Sequence, residues 1–345
     1  MTRPLLAPRR LRPGDTIGVF TPSAPGYAWG PELFDTGVRT LQTLGFEVKL
    51  GSLTAARRVQ GHRSGTPRER ADELMELVAD DRVQGLVATI GGSNSSSLIP
   101  YLDFDRIRHA RKVICGFSDV TSLHLATLRH AGLRTLYGPA LMTWFGEWPG
   151  GDAVSIASWS DAVVDNRGER VVAPPARWSN HRRRWDNGDW KTRPREWRPN
   201  PGWQALSPGV VEAPIVAANL NTLVSAAGTP HWPDLDGVVL LIEEMDAPLA
   251  RTERHLRHLQ LLGVFDQIAG LIFSKPEVPD EDASPLGYAG LLAEIVGARA
   301  YPIVSDFDCG HTLPMITVPE RVRVRVSAAA AGPVEFRFLE PACEG

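Results

Sequence analysis

The chain has 345 residues, 43% of them hydrophobic and 22% charged, and a net charge of −3. That length allows two domains with sizeable cores, and the composition is ordinary for a globular protein. No basic field points to a nucleic-acid polymer or an anionic membrane as partner. Arg3, Arg9, Arg10 and Arg12 crowd the first residues without an apolar run of signal-peptide length, and no later run is long enough to cross a bilayer. A cytoplasmic location is therefore expected. The cysteines Cys115, Cys309 and Cys343 make neither a disulfide framework nor a paired metal knuckle.

The first part alternates strand-like and helix-like segments. Thr16 to Phe20 is a short apolar strand, followed by a turn rich in Pro, Ser and Gly. Pro31 to Leu44 reads as a helix closed by Gly45, and Phe46 to Leu50 as a second strand. Pro67 to Asp80 is a helix with Ala71, Leu74, Leu77 and Val78 on one face. Val83 to Ile90 is almost continuously apolar, as a strand covered on both faces would be. Val113, Ile114 and Cys115 form another buried strand, broken by Gly116, and a helix begins at Asp119 with Val120, Leu123 and Leu128 on one side. Such alternation predicts a parallel sheet with ligands at the carboxyl ends of its strands.

Between about residues 165 and 208 the pattern stops. Arg, Trp, Pro and Asn dominate, including Arg182, Arg183 and Arg184. Five of the ten tryptophans fall here, which favours an ordered, functional loop over a disordered linker. The predicted division is thus 1–164, a linker and substrate loop over 165–208, and 209–345. In the last part, Asn219 to Ala227 looks helical, and Gly237 to Ile242 is a buried strand leading into Glu243 and Glu244. Leu249 to Leu262 is an amphipathic helix, and Ile268 to Phe273 another strand. Val322, Val324 and Val326 alternate with arginines, then Val334, Phe336 and Phe338 with Glu335 and Arg337, predicting a half-exposed hairpin.

Ser118 stands between a strand end and a helix start. There a hydroxyl projects past the sheet edge beside free helix N–H groups, the logic of a nucleophile elbow without the G-x-S-x-G spelling. Ser118 or Asp119 could equally serve only as a helix cap. A serine nucleophile needs a base and an acid that orients it. His311 follows a strand in a loop fixed by Gly310 and Pro314, although a plain hydrogen-bonded loop histidine would look the same. Glu243 ends an apolar strand, where a carboxylate without a partner is costly. Glu244 competes with it, and strand alternation allows only one of the two to face the site. Gly91 and Gly92, with Ser93 and Asn94, follow the Val83–Ile90 strand and could offer an oxyanion donor or make an ordinary turn. Cys115 or Cys309 as nucleophile, a metal held by Asp306, Asp308, Cys309 and His311, and a non-catalytic ligand-sequestering protein are the rival readings. No glycine pattern matches a phosphate or dinucleotide loop, so no cofactor is expected.

Taken in order, several runs resemble the LD-carboxypeptidase family of serine peptidases. They are Thr89 to Phe104, Cys115 to His124, Tyr137 to Pro139, Ala218 to Leu223 with Gly228 and Thr229, Leu240 to Glu244, Gly263 to Asp266, and Asp308 to Thr312. The resemblance implies a flavodoxin-like N-terminal α/β domain, a smaller β-rich α/β C-terminal domain, a homodimer, and no metal. It implies Ser118 as nucleophile, His311 as base and Glu243 as its acid, with oxyanion donors near Gly92 and Asp119 and with Gly91, Ser93 and Asn94 beside the substrate. Ile90 to Asn94 is closer to the branch that resembles microcin C self-immunity proteins than to the murein tetrapeptide branch, which releases D-alanine. The expected substrate is a peptidyl- or aminoacyl-nucleotide, with Trp185 or Trp190 stacking on its base. One departure stands out: Ala217-Ala218-Asn219 replaces a Gly-Gly-Asn turn.

Overall fold

The computed structural model describes residues 3–183, 185, 188–279, 285–330 and 332–345; Arg184 lies outside them. The first part supplies β1 (Thr16–Phe20), β2 (Glu47–Leu50), β3 (Val83–Ala88), β4 (Val113–Gly116) and β5 (Leu136–Tyr137). These five lie parallel in the order β2-β1-β3-β4-β5, the doubly wound order expected from strand–helix alternation. Alternation along each strand sends side chains to two apolar layers. Val19, Val87 and Cys115 meet Leu33, Phe34 and Leu41 of the helix Pro31–Thr43. Phe20, Leu86 and Ile114 meet Leu74, Leu77 and Val78 of the helix Pro67–Ala79. Thr66 opens that second helix with a capping box closed by Glu69.

The segment 165–208 is built into the fold more than its composition suggests. It contributes β6 (Arg170–Val172), the two-stranded ribbon β7 (Arg177–Trp178) with β8 (Arg198–Pro199), and β9 (Gln204–Ser207). There follow β10 (Gly209–Asn219), β11 (Val239–Glu243), β12 (Asp246–Ala247), β13 (Gly270–Ser274), β14 (Val278–Pro279), β15 (Ile303–Phe307), β16 (Val318–Pro319), β17 (Arg323–Ala328) and β18 (Val334–Phe338). The second sheet runs β6-β18-β17-β10-β11-β13-β15-β9, so the supposed linker provides both of its edges. Strands β17 and β18 pair as the predicted hairpin, Val324 opposite Phe338. One face of this sheet packs on the helices Leu249–Leu261 and Gly287–Val296. The other packs on Phe117, Tyr137 and Trp144 of the first part.

The sheets also exchange chain. Strand β16 leaves the second part and pairs antiparallel with β5 at the edge of the first sheet. Ala342 and Cys343 are buried in the apolar layer that covers β1 and β4. The first core is therefore finished by the last residues, and boundaries at 164 and 209 divide the chain less cleanly than composition suggests. Ala217 and Ala218 form no turn: both are buried inside β10, and their methyls lie in opposite apolar layers.

Candidate active site

The carboxyl ends of β4, β5, β10 and β11 meet between the two sheets. Phe117 continues β4 in extended form, and Ser118 then takes φ +63° before the helical turn Ser118–Val120. A left-handed conformation at a non-glycine residue costs on the order of 1–3 kcal/mol and needs support around it. The Ser118 N–H donates to Tyr137 Oη at 3.1 Å. Gly116 lets the turn close, since a Cβ there would stand 3.0 Å from Val120 and 3.1 Å from Ala88. The helix continues as Thr121–Ala126, with Ser118 half-buried at its mouth.

His311 arrives from the loop after β15. Its Nδ1 lies 2.6 Å from Glu243 Oε2 and its Nε2 lies 3.2 Å from Ser118 Oγ. With Glu243 accepting, Nδ1 carries the proton and Nε2 is left to accept one. The Phe117 ring packs 4.8 Å from the imidazole, centroid to centroid. Gly310 is needed in front of it: φ is +117°, and a Cβ would stand 2.6 Å from Glu243 Oε2. Burial disfavours the imidazolium, but the Glu243 carboxylate, with Glu277 and Glu244 beyond it, outweighs burial and holds the His311 pKa above 6.5.

Glu243 is fully buried at the end of β11. Its second oxygen accepts from Tyr137 Oη at 2.5 Å and Asn219 Nδ2 at 3.1 Å. Asn219 lies opposite Glu243 in the β10–β11 register, and its Oδ1 caps the helix Leu220–Ser225 through the Thr222 N–H. Glu244 turns away, as alternation requires. It bonds its neighbour's N–H and lies 3.8 Å from His255 Nδ1, a histidine that is largely buried on its helix.

The Gly91–Asn94 turn lies against the serine. A Cβ on Gly91 would stand 3.2 Å from Ser118 Oγ and 3.3 Å from the Asp119 nitrogen. One on Gly92, at φ +150°, would stand 2.2 Å from Ser23 Oγ. Ser23 Oγ accepts from the Ser93 and Asn94 N–H groups, and Asp119 Oδ2 accepts from those of Asn94 and Ser95 at 2.9 Å. Buried Arg70 braces the turn from behind, donating to Asn94 Oδ1 at 2.6 Å and to Ser97 Oγ at 3.0 Å. Burial lowers the Arg70 pKa to about 10, still far above neutrality. The Asn94 side-chain oxygen is thus committed to the scaffold, while Gly92 and Ser93 stay exposed at the opening.

The remaining expectations divide. Trp190 does not face a ligand: it is 4% exposed in the core of the first part, with Lys191 Nζ 5.2 Å from its ring centroid. Trp185 packs half-buried against the same layer. Cys115 and Cys309 are buried with their thiol pKa values pushed up, which makes them poor nucleophiles. Asp308 pairs with Lys275 and His311 with Glu243, so the residues of the imagined metal set are otherwise engaged. Sequence reading missed Tyr137, Asn219 and Arg70 as parts of the site. Their signal was position: Tyr137 and Asn219 end strands of the two sheets, and Arg70 sits on the apolar face of its helix.

Residues 17–138 match the LD-carboxypeptidase N-terminal domain and residues 212–326 the LD-carboxypeptidase C-terminal domain. The microcin C7 self-immunity protein MccF of Escherichia coli is 36% identical over 327 residues, 94% of each chain. A Vibrio cholerae protein named as a carboxypeptidase is 36% identical over 322 residues, 92% of this chain and 94% of its own. A Bacillus subtilis protein named as a murein peptide carboxypeptidase is 29% identical over 324 residues, 93% of this chain and 92% of its own. The solved structure of MccF in complex with glutamyl sulfamoyl guanosine superposes with TM-score 0.91 at 33% identity, covering 98% of this chain and 100% of that one.

Proposed function

Because the chain belongs to the LD-carboxypeptidase family, we propose that it is a serine amidohydrolase whose catalytic residues are Ser118, His311 and Glu243. The reading rests on one observation: an unbroken hydrogen-bonded series from the Ser118 hydroxyl through the His311 imidazole to the Glu243 carboxylate. His311 Nε2 takes the proton from Ser118 Oγ as the oxygen attacks an amide carbonyl. Glu243 holds the Nδ1–H and stabilises the imidazolium that forms. The N–H groups of Gly92 and Asp119 serve in this mechanism as the oxyanion donors; support comes from Gly91, where a Cβ would crowd Ser118 Oγ at 3.2 Å and the Asp119 nitrogen at 3.3 Å. His311 then protonates the leaving amine, and water resolves the acyl-enzyme.

The substrate we favour is a peptidyl- or aminoacyl-nucleotide, cleaved at the amide that joins the acyl carboxyl group to the nucleotide-like moiety. Support comes from the likeness to MccF over nearly all of both chains and from that protein's complex with glutamyl sulfamoyl guanosine. The tryptophan-rich segment, with half-buried Trp185, suits an aromatic base. The relation to the Bacillus subtilis protein favours a second reading, release of D-alanine from a murein tetrapeptide. A fluorophosphonate should label the protein and fail on Ser118→Ala. Unlabelled wild-type protein, given aminoacyl sulfamoyl-adenosine and murein tetrapeptide in parallel, should hydrolyse the first. Robust D-alanine release without hydrolysis of the nucleotide would reverse the assignment.

A further inference from the structure

The loop that carries His311 is gripped by chain remote from it in sequence. Asp308, three residues before the imidazole, is fully buried. Its Oδ1 accepts from Lys275 Nζ at 2.7 Å and its Oδ2 from Trp203 Nε1 at 2.9 Å. Asn200 Nδ2 lies 3.2 and 3.1 Å from the two oxygens. Lys275, just past the end of β13, also donates to the Asp306 carbonyl, and its N–H to the Phe307 carbonyl at 3.1 Å. The Asp308 carbonyl accepts from the Ile316 N–H at 2.7 Å, which closes the loop on itself. Past the imidazole, Ser179 and Leu313 exchange two backbone hydrogen bonds of 2.8 and 3.0 Å. Trp203, Asn200 and Ser179 all belong to the segment that composition marked as a linker. That segment therefore holds the loop on both sides of His311.

A buried ion pair is a poor device for stability alone, since an apolar pair of similar volume often serves as well or better. What it supplies is a fixed geometry, because every donor has one acceptor position that satisfies it. Gly310, between Asp308 and His311, is at φ +117° and has no side chain of its own to pack. The bearing of the imidazole is thus fixed from Asp308 on one side and Leu313 on the other. We propose that Asp308 is a positioning residue: by joining the His311 loop to Lys275, Asn200 and Trp203, it sets where the imidazole meets Ser118 and Glu243. The proposal rests on the reading of those three residues as the catalytic series.

The test uses the full chain as wild type, Asp308→Asn and Trp203→Phe. Trp203→Phe keeps the ring in the core and removes only the N–H, so it decides the matter if Asp308→Asn does not fold. The first readout needs no substrate: the downfield proton resonance of the His311 Nδ1–H, identified by its absence in His311→Gln. The second is kcat and KM for aminoacyl sulfamoyl-adenosine. Folded variants should lose or broaden that resonance and lose kcat by about a hundredfold for Asp308→Asn, with KM within about threefold of wild type, as expected when a reacting group is misplaced by an ångström or so. Folded variants with the wild-type resonance and wild-type kcat would overturn the proposal. A wild-type protein that shows the resonance but neither hydrolyses nor labels at Ser118 would instead count against the catalytic reading, while the resonance still judges Asp308.

Discussion

Glu243 has no exposed surface, yet its two oxygens receive His311, Tyr137 and Asn219. A buried carboxylate is tolerable only with that much compensation. Burial and the neighbouring Glu243 raise the Tyr137 pKa well above the ordinary phenol value, so the phenol keeps its proton and remains a donor. Tyr137→Phe removes that donor and also the acceptor of the Ser118 N–H. It should cost about 1–3 kcal/mol in unfolding free energy and slow fluorophosphonate labelling of Ser118, measurable by denaturation and by labelling time course. Ser118→Ala should remove nearly all turnover with the fold intact; activity near wild type would end the serine mechanism. The pH profile carries a sign. In the proposed mechanism His311 works as neutral imidazole, so kcat/KM should fall as pH drops through a pKa above 6.5. Glu243→Gln withdraws the main force holding that pKa up, so the acid limb should move to lower pH while kcat falls by roughly a thousandfold or more. An unmoved limb would detach His311 from it. Ser118 was legible as a candidate between a strand end and a helix start, Glu243 at the end of an apolar strand and His311 in a loop beside Gly310, but their joint roles came from the family resemblance. Tyr137 was not legible, since the bond that gives it meaning spans 106 positions of chain.

At the level of elements, periodicity carried the reading. The helix Pro67–Ala79 repeats apolar residues at the helical period and the strand Val83–Ala88 is a nearly continuous apolar run, and both fall where the sequence predicts. Strands β6 to β9 escaped it. They have 2–4 residues each, too few for a period to emerge, and among the described residues β7 and β8 form a ribbon separate from the two main sheets. Trp190 was misjudged for a related reason: an indole in an aperiodic stretch gives no sign of whether it packs inward or waits for a ligand. The segment is anchored by Glu147, which takes Arg183 at 2.6 Å and Arg195 at 2.9 Å. The Gly91–Asn94 turn is the element most exposed to a single change. Gly92→Ala would drive a methyl against Ser23 Oγ, which itself holds the turn. Turnover should drop by about a hundredfold, as when one oxyanion donor is lost, while the circular dichroism spectrum stays unchanged. A fully active Gly92→Ala would move the oxyanion donor elsewhere.

Across the whole molecule the two sheets share one inner layer, so stability and site are coupled. His124 illustrates this. Buried behind the serine turn, it bonds the Gly116 carbonyl at 2.9 Å, and burial lowers its pKa from 6.5 to about 4. Between those values the unfolded chain binds a proton that the folded one refuses, so stability falls as pH drops through that window. The loss approaches about 3 kcal/mol at its acid end. His124→Gln can still donate to Gly116 but does not titrate. Its unfolding free energy should therefore decline less steeply between pH 7 and pH 4 than the wild type's, and parallel slopes would assign acid sensitivity to other groups.

The return of β16 to the edge of β5, with Ala342 and Cys343 sealing the first apolar layer, bears on how the protein is made. Domains commonly fold in turn as they leave the ribosome, the earliest first. Here the apolar layer and the sheet edge of the half that holds the serine are completed by residues from Val318 onward. On that order the Ser118 half should stay open at its β5 edge during synthesis and close only in the step that brings Glu243 and His311 to it.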